Sequence, residues 1–246
     1  MEAQWNGYRA EEFSFCGRKA IAVLPHEGRK TGDWALKTEY WGAFPNAELA
    51  LLERGFTLAF LQNRTRFATK EECAEKANFC SFVSERYGLR EKCALVGMSC
   101  GGAHALTFAG LYPEKAACLY LDAPVVSYLS YPGRFGDPEC ESVWENEFVL
   151  AYPGVRRMDL LSFGNHPISR VQTLIDRKIP VLLVYGTQDA TVPYDENGRL
   201  LEEAYEGYPG LLTVLPCALR GHHPHGLADP APIADFIEAA CRAARA

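Results

Sequence analysis

One serine stands in a setting that could make it a nucleophile. Ser99 lies between Gly97 and Gly101, with an apolar run at 93–96 before it and a helix-like stretch at 103–111 after it. G-x-S-x-G between a strand and a helix is the arrangement of a nucleophile elbow. Such a turn strains the serine backbone and leaves no room for side chains two residues to either side. The spacing therefore predicts a serine hydroxyl held clear of a sheet at a helix N-terminus, where developing negative charge is stabilised.

A serine hydroxyl needs a positioned base, and the base needs an acidic group that orients it and stabilises its cation. After an elbow the expected chain order is serine, then aspartate or glutamate, then histidine, each at a later strand end. Asp189 follows the predicted strand 179–185, and we identify it as the acid. Asp122, directly after the predicted strand 116–121, is the main alternative. Asp195 is expected to cap a helix.

Three histidines in the loop before the final predicted helix are candidates for the base. We predict His222 as the base, with His223 as second choice and His225 as a hydrogen-bonding residue. His104, just inside the helix after the elbow, is expected to be structural. A metal ion is the competing explanation for clustered histidines. Because one tight loop should not surround an ion without ligands from elsewhere, we expect neither a metal nor another cofactor.

Acyl transfer also needs hydrogen-bond donors for the oxyanion of the tetrahedral intermediate. The Cys100 N–H, the first after the serine, is predicted to be one donor. The predicted loop 25–45 is expected to supply the second donor from Trp34 or Ala35. Cys100 is not expected to be the nucleophile, because its side chain follows the turn and points elsewhere.

Aromatic residues in two segments could line a cleft that stacks sugar rings or aromatic acyl groups. One group lies in the loop 25–45, and the other lies in 127–167, which interrupts the strand–helix alternation and predicts a lid-like insertion. The alternatives are that many of these side chains are core and that 127–167 is a plain surface connection. The candidate substrate-binding residues are Trp34, Tyr40, Trp41, Phe44 and Tyr128, with Tyr131 and Phe135 as further candidates.

Elsewhere short apolar strands alternate with amphipathic helices, which predicts an α/β fold with a mainly parallel sheet covered on both faces. Thr69 and Glu72 have capping-box spacing for a helix that runs to about Arg86 and ends at Gly88. No repeat or linker divides the chain, so we expect a single domain over 1–246.

Composition excludes several classes of partner. The net charge is −6 and basic residues are not clustered, so neither nucleic acid nor an anionic membrane is expected to bind. The polar start, the lack of a run long enough to span a bilayer, and nine cysteines without a C-x-x-C pair predict a reduced, cytoplasmic protein. The expected partner is a small-molecule ester substrate.

The elbow 97–102, the acid turn 186–193 and the Gly221-His222 turn together resemble the α/β-hydrolase superfamily, over most of the chain. More narrowly, the chain resembles bacterial esterase-like hydrolases of the prolyl-oligopeptidase type, which end in Gly-His-His-Pro-His before a helix. The resemblance implies an eight-stranded, mostly parallel sheet, with the small insertion after strand six. It also implies a triad of Ser99, Asp189 and His222. The His-Gly dipeptide that often marks the oxyanion loop is missing.

We therefore predict a serine carboxylic-ester hydrolase that forms an acyl-enzyme on short-chain or carbohydrate-linked acyl esters. One alternative is a prolyl-oligopeptidase-like serine peptidase, which the lack of a propeller or other gating domain disfavours weakly. The other is a non-catalytic small-molecule-binding protein on the same fold. Such proteins usually lose a triad member, whereas this sequence offers all three.

Overall fold

The computed structural model describes residues 2–245 and contains one sheet of nine strands. The strands are β1 (Glu2–Trp5), β2 (Tyr8–Phe15), β3 (Arg18–Leu24), β4 (Trp34–Lys37), β5 (Thr57–Leu61), β6 (Cys93–Met98), β7 (Ala116–Asp122), β8 (Val181–Gly186) and β9 (Leu212–Cys217).

The order of the strands brings the chemistry-bearing loops to one edge. The sheet runs β1-β2-β3-β5-β4-β6-β7-β8-β9. The first three strands are antiparallel to their neighbours, whereas β4 to β9 are parallel to one another. The carboxyl ends of β4 to β9 therefore lie together, which is where open α/β sheets bind ligands.

Helices connect the parallel strands and cover both faces of the sheet. They are α1 (Asn46–Glu53), α2 (Lys70–Tyr87), α3 (Cys100–Leu111), α4 (Pro138–Val143), α5 (Val149–Ala151), α6 (Val171–Asp176), α7 (Gly198–Ala204) and α8 (Ala231–Ala243), with a π-helical stretch, Trp144–Phe148, between α4 and α5.

The core consists of two apolar layers, one on each side of the sheet. Leu51 of α1 and Ile237 of α8 pack on one face. Phe79 of α2, Leu106 of α3 and Leu174 of α6 pack on the other. Because both faces are covered, β5 and β6 are buried along their whole length, and they show the continuous apolar runs typical of parallel sheets. The predicted α/β architecture is confirmed.

Helix α2 shows how local sequence sets an element's ends. The Thr69 hydroxyl accepts the Glu72 N–H at 3.2 Å, which satisfies one of the amides left free in the first turn. Gly88 ends the helix with φ of 65°, a left-handed conformation that glycine adopts without a steric penalty. Both predicted ends of this helix are confirmed.

The predicted number of strands and the predicted position of the insertion need correction. β1 was not predicted, because a polar edge strand carries no apolar pattern. β4 lies inside the predicted loop 25–45, where four residues are too few to show a period. The sheet accordingly has nine strands rather than eight, and the segment 127–167 follows the seventh strand rather than the sixth.

The segment 127–167 packs around a small apolar cluster of its own. Tyr128, Tyr131 and Phe148 are buried there against Phe67 and Ala103 from the main body. Its lid-like character stays a prediction. Among the helices within 2–245, none is both long and apolar enough to cross a bilayer.

Candidate active site

Ser99 occupies a strained turn between β6 and α3. Its backbone has φ of 50° and ψ of −122°, a conformation that L-residues rarely adopt. Three glycines make the turn sterically possible. A Cβ on Gly97 would lie 2.7 Å from the Gly101 carbonyl oxygen, and one on Gly102 would lie 2.3 Å from Pro124 Cβ. A Cβ on Gly101 would meet Glu39 Cβ at 3.1 Å. The sequence prediction of a nucleophile elbow is thus matched by its geometry.

The structure brings the hydroxyl, an imidazole and a carboxylate into one line. Ser99 Oγ lies 3.1 Å from His222 Nε2, and His222 Nδ1 lies 2.7 Å from Asp189 Oδ2. In this arrangement the Ser99 hydroxyl donates to Nε2 while the Nδ1–H donates to the carboxylate. The three residues predicted as a triad therefore meet, from positions after β6, β8 and β9, with the geometry that nucleophile activation requires.

Asp189 is held in place by backbone amides. Its Oδ1 accepts the N–H groups of Thr191 at 3.0 Å and Val192 at 2.8 Å, which leaves Oδ2 for the imidazole. The acid turn is also joined to the histidine loop. Gln188 N–H donates to the Arg220 carbonyl oxygen at 2.9 Å, and a Cβ on Gly186 would lie only 2.3 Å from that same oxygen. The two loops therefore position their side chains together.

Asp122, the alternative acid, belongs to a second and fully buried network. Its Oδ1 accepts His225 Nδ1–H at 2.9 Å and an Arg220 guanidinium N–H at 2.9 Å. Its Oδ2 accepts the Gly226 N–H at 2.7 Å and the Tyr120 hydroxyl at 3.2 Å. Both carboxylate oxygens of Asp122 are therefore engaged by residues of the histidine loop. Asp122 is thus bound to His225, and Asp189 is bound to His222.

The remaining histidine candidates have other contacts. His223 is exposed and stacks on Phe44 with ring centroids 5.4 Å apart. Partial burial lowers its pKa, and the neighbouring imidazoles lower that pKa further. His104 is fully buried, its Nε2 lies 3.1 Å from the Thr65 carbonyl oxygen, and burial lowers its pKa. Asp195 forms an ion pair with Arg199 inside a 3-10 turn instead of capping a helix.

The three imidazoles of the loop form a nearly regular triangle. The ring centroids of His222, His223 and His225 lie 4.8, 4.9 and 5.0 Å apart. One nitrogen from each ring can be chosen so that all three lie within 4.8 Å of one another. The spacing argument from the sequence did not expect one short loop to bring three imidazoles so close.

A cavity of about 460 Å³ opens onto the serine and the imidazole. Tyr40 and Phe44, both predicted as substrate-binding residues, line it together with Tyr131 from the segment 127–167. Further lining residues come from the end of β6, from α4 and from the loops after β4, β5, β8 and β9: Ala43, Arg66, Met98, Glu139, Thr191, His223 and His225.

Arg66 is the cationic side chain in this wall. Its guanidinium forms a two-point pair with the Glu147 carboxylate, with Nε 2.7 Å from Oε2, and this hydrogen bonding raises the pKa of Arg66. Its Nη1 lies 3.4 Å from the Tyr131 hydroxyl, which also donates to Glu139 Oε1 at 3.0 Å. The cavity wall therefore combines the polar groups of Arg66 and Glu139 with the aromatic ring of Tyr131.

The structure places two predicted oxyanion residues outside the cavity. Trp34 and Ala35 lie in β4, between β5 and β6, and both are fully buried. The Trp34 indole N–H donates to the Arg90 carbonyl oxygen at 2.8 Å, at the far end of the strand. Ala35 is paired with strands on both sides, and Trp34 is paired with β5 and buried, so neither lines the cavity. Both predictions for Trp34 and the one for Ala35 are therefore corrected.

Two other predicted substrate residues also lie in packing positions. Trp41 contacts Trp5 and Phe60 at ring-centroid distances of 5.1 and 5.6 Å. Tyr128 is fully buried and meets Phe67 edge-on at 5.5 Å. Neither lines the cavity, as the core alternative anticipated. Phe135, the further candidate, is exposed and lies under Arg157 instead, with the guanidinium 4.9 Å from its ring.

Two groups beside Ser99 are suited to an oxyanion. The Cys100 N–H is the first of α3 and has no partner within the helix. Tyr40 lines the same cavity as Ser99. Burial raises the pKa of Tyr40, so the hydroxyl keeps its proton and can donate. Burial also raises the pKa of the Cys100 thiol to about 12, which leaves it protonated and poorly nucleophilic at neutral pH.

Sequence reasoning missed Arg66 and Thr191 in the cavity wall, and a positional signal for them existed. Arg66 follows β5 and Thr191 follows β8. Loops after parallel strands share the edge that carries Ser99, so any polar or aromatic residue in them is a candidate. Tyr40 follows β4 and was predicted, but only as one of several aromatic residues in the loop 25–45.

The strand order, the strained serine after β6 and the coverage of both faces by helices define the α/β-hydrolase fold. Among solved structures, TT1662 from Thermus thermophilus is similar over 95% of this chain and 98% of that chain, with a TM-score of 0.62 and 18% identity. Dipeptidyl peptidase 4 from Porphyromonas gingivalis is similar over 94% of this chain, with a TM-score of 0.70 and 14% identity. This chain spans 35% of that peptidase.

A candidate lipase from Acinetobacter baumannii is similar over 97% of this chain and 92% of that chain, with a TM-score of 0.57 and 13% identity. Neither protein-family models nor curated protein sequences match the chain. At these identities the likeness establishes the fold, and the chemistry depends on the site itself.

Proposed function

We propose that this protein is a serine hydrolase that cleaves carboxylic esters through an acyl-enzyme. One observation carries the proposal: Ser99 Oγ, His222 and Asp189 are joined by contacts of 3.1 and 2.7 Å at the mouth of a cavity of about 460 Å³. Packing alone does not explain why an imidazole nitrogen lies 3.1 Å from the hydroxyl of a serine with a strained backbone that faces a cavity.

The proposed reaction proceeds in two halves. Ser99 Oγ attacks the ester carbonyl carbon while His222 Nε2 accepts its proton, and the carbonyl electron pair moves to the oxygen. The Asp189 carboxylate stabilises the imidazolium. When the tetrahedral intermediate collapses, the leaving alkoxide takes that proton. Water then attacks the acyl-enzyme with His222 again as base, which releases the acid and restores the serine.

We assign the oxyanion to the Cys100 N–H and the Tyr40 hydroxyl. The first stands at the N-terminus of α3, where the helix dipole favours negative charge. The second remains protonated because burial raises its pKa. Donors of this kind act most strongly in a cavity that excludes bulk water.

The size and walls of the cavity support short-chain or carbohydrate-linked acyl esters as substrates. A volume of about 460 Å³ suits a small ligand. Tyr40, Phe44 and Tyr131 offer aromatic faces on which a sugar ring can stack, and Arg66 and Glu139 offer polar groups for hydroxyls.

The first test is covalent labelling with a fluorophosphonate probe, followed by peptide mapping. We expect modification of Ser99 in the parent protein and none in a folded Ser99→Ala variant. If the folded parent is not labelled, the protein is a binding protein and not a serine hydrolase.

The second test compares leaving groups. The proposal expects turnover of p-nitrophenyl acetate and of acetylated sugars to exceed turnover of peptide p-nitroanilides and of p-nitrophenyl octanoate. Faster cleavage of the anilides would identify a peptidase, and a preference for octanoate would contradict the short-chain assignment.

A further inference from the structure

The triangle of imidazoles after β9 includes two carboxylate–histidine pairs, and the hydrolytic reaction uses only one of them. Both His222 and His225 donate Nδ1–H to a buried carboxylate, at 2.7 Å to Asp189 and 2.9 Å to Asp122. A histidine that donates from Nδ1 presents a lone pair on Nε2. Carboxylate–histidine pairs of this kind orient and strengthen the ligands of zinc sites.

The spacing of the rings fits one small ion. Three imidazoles around a tetrahedral zinc ion, with Zn–N bonds of about 2.0–2.1 Å, have ring centroids roughly 5 Å apart. Here the centroids of His222, His223 and His225 lie 4.8 to 5.0 Å apart. The ligand nitrogens lie within 4.8 Å of one another. Nitrogens that share one tetrahedral zinc ion lie about 3.3 Å apart, so binding would draw the three rings closer together. His223 is exposed and is the ring with most room to turn.

The charges around the triangle also suit a cation. The carboxylates of Asp189 and Asp122 stand directly behind two of the three rings. Arg220 faces the same region, but its guanidinium is bound to Asp122 and to the Gly226 carbonyl oxygen at 2.6 Å. Neutral imidazoles suit zinc, copper and nickel, whereas magnesium and calcium require oxygen ligands.

We propose that His222, His223 and His225 form a zinc site that switches the hydrolase off. The ion takes the Nε2 lone pair of His222, which is the pair that would accept the Ser99 proton. Water or Ser99 Oγ supplies the fourth ligand. The inhibitory effect depends on the proposed function, whereas binding of the ion does not.

The binding experiment uses isothermal titration of the metal-free protein with zinc chloride. All proteins carry Cys16→Ser, because an exposed thiol also binds zinc. We expect one zinc ion per chain in the parent and at least a tenfold weaker affinity in His223→Ala. His26→Ala is the matched control, since His26 is also exposed and stacks on an aromatic ring, Tyr8, at 4.6 Å. Equal affinity in parent and His223→Ala, or no binding to the parent, would overturn the site. His223→Gln provides a second variant of the same position.

The activity experiment measures p-nitrophenyl acetate hydrolysis, with each variant compared with its own metal-free rate. Zinc should inhibit the parent and His26→Ala, a chelator should restore the rate, and magnesium at the same concentration should have no effect. His223→Ala should need at least tenfold more zinc for half inhibition. If the protein binds zinc through His223 but has no activity without metal, the proposed function is wrong and the zinc site stands. If the protein is active and zinc inhibits the parent and His223→Ala at the same concentration, the zinc site is wrong.

Discussion

Two carboxylate–histidine pairs lie side by side at the carboxyl edge of the sheet. Asp189 binds His222 after β8, and Asp122 binds His225 after β7, with almost the same contact between Nδ1 and a carboxylate oxygen. They differ in what surrounds each pair. His222 directs Nε2 at Ser99 Oγ, while the Asp122 carboxylate is also paired with the Arg220 guanidinium. Both aspartates accept backbone amides as well. A carboxylate–histidine contact is therefore not in itself catalytic, and the elbow decides which pair can activate a hydroxyl.

The largest expected effect is the loss of the proposed base. His222→Ala should lower kcat on p-nitrophenyl acetate by roughly 10⁶, because it removes the imidazole nitrogen that lies 3.1 Å from Ser99 Oγ and would accept its proton. Stopped assays with mass spectrometry of the product measure the residual rate, and His26→Ala serves as the control. A loss below about tenfold would show that the wrong pair has been assigned.

The next effect concerns the acid of the same pair. Asp189→Asn should reduce kcat by about 10⁴, since an amide favours the wrong tautomer of His222 while the shape of the turn is kept. The matched variant in the other pair is Asp122→Asn. Its folded form should keep its rate within about tenfold, and comparison of kcat for the two variants separates the pairs. If both lost activity equally, the distinction between them would fail.

A smaller effect is expected for the proposed second oxyanion donor. Tyr40→Phe removes only a hydroxyl from the cavity wall and should reduce kcat by about 10²–10³, with KM little changed. Steady-state kinetics on acetyl esters checks this. Phe44 lines the same wall without a hydroxyl, so Phe44→Leu is the control that changes shape and not donor number. An unchanged kcat in Tyr40→Phe would leave the backbone amide of Cys100 as the assigned donor and remove Tyr40.

The smallest effect on turnover accompanies a large effect on stability. Asp122→Asn should destabilise the fold by about 3–5 kcal/mol, because it leaves the Arg220 guanidinium largely buried without its anion. Denaturant unfolding followed by fluorescence measures the free energy of unfolding. Asp195→Asn, at an exposed ion pair, is the comparison and should change it by less than about 1 kcal/mol. Similar values for both variants would show that the buried pair is not structural.

The sequence was sufficient for the parts of the site that depend on local order. The elbow glycines, Asp189 and His222 were each identified from their position after an apolar strand, because parallel strands present their carboxyl ends together. One strand that the sequence did not reveal, β4, is defined by nonlocal contacts. β4 is only four residues long and is recognised by its two partners, not by its own pattern.

The cavity walls were harder to predict than the site they surround. Trp41 and Tyr128 look like Tyr40 and Tyr131 in sequence, since each is an aromatic residue in a segment without periodicity. Which of them faces the cavity depends on packing against Phe60 and Phe67, which are distant along the chain. Such contacts become visible only when the fold is known.

The absence of a side chain at Gly186 has a consequence for anyone who wishes to re-engineer this protein. The acid turn and the histidine loop touch backbone to backbone there, so neither can be exchanged for a loop of another shape by itself. The segment 127–167 contributes Tyr131 and Glu139 to the wall of the cavity that contains Ser99. To change the cavity wall, the segment 127–167 can be replaced by itself. The acid turn and the histidine loop should be exchanged together.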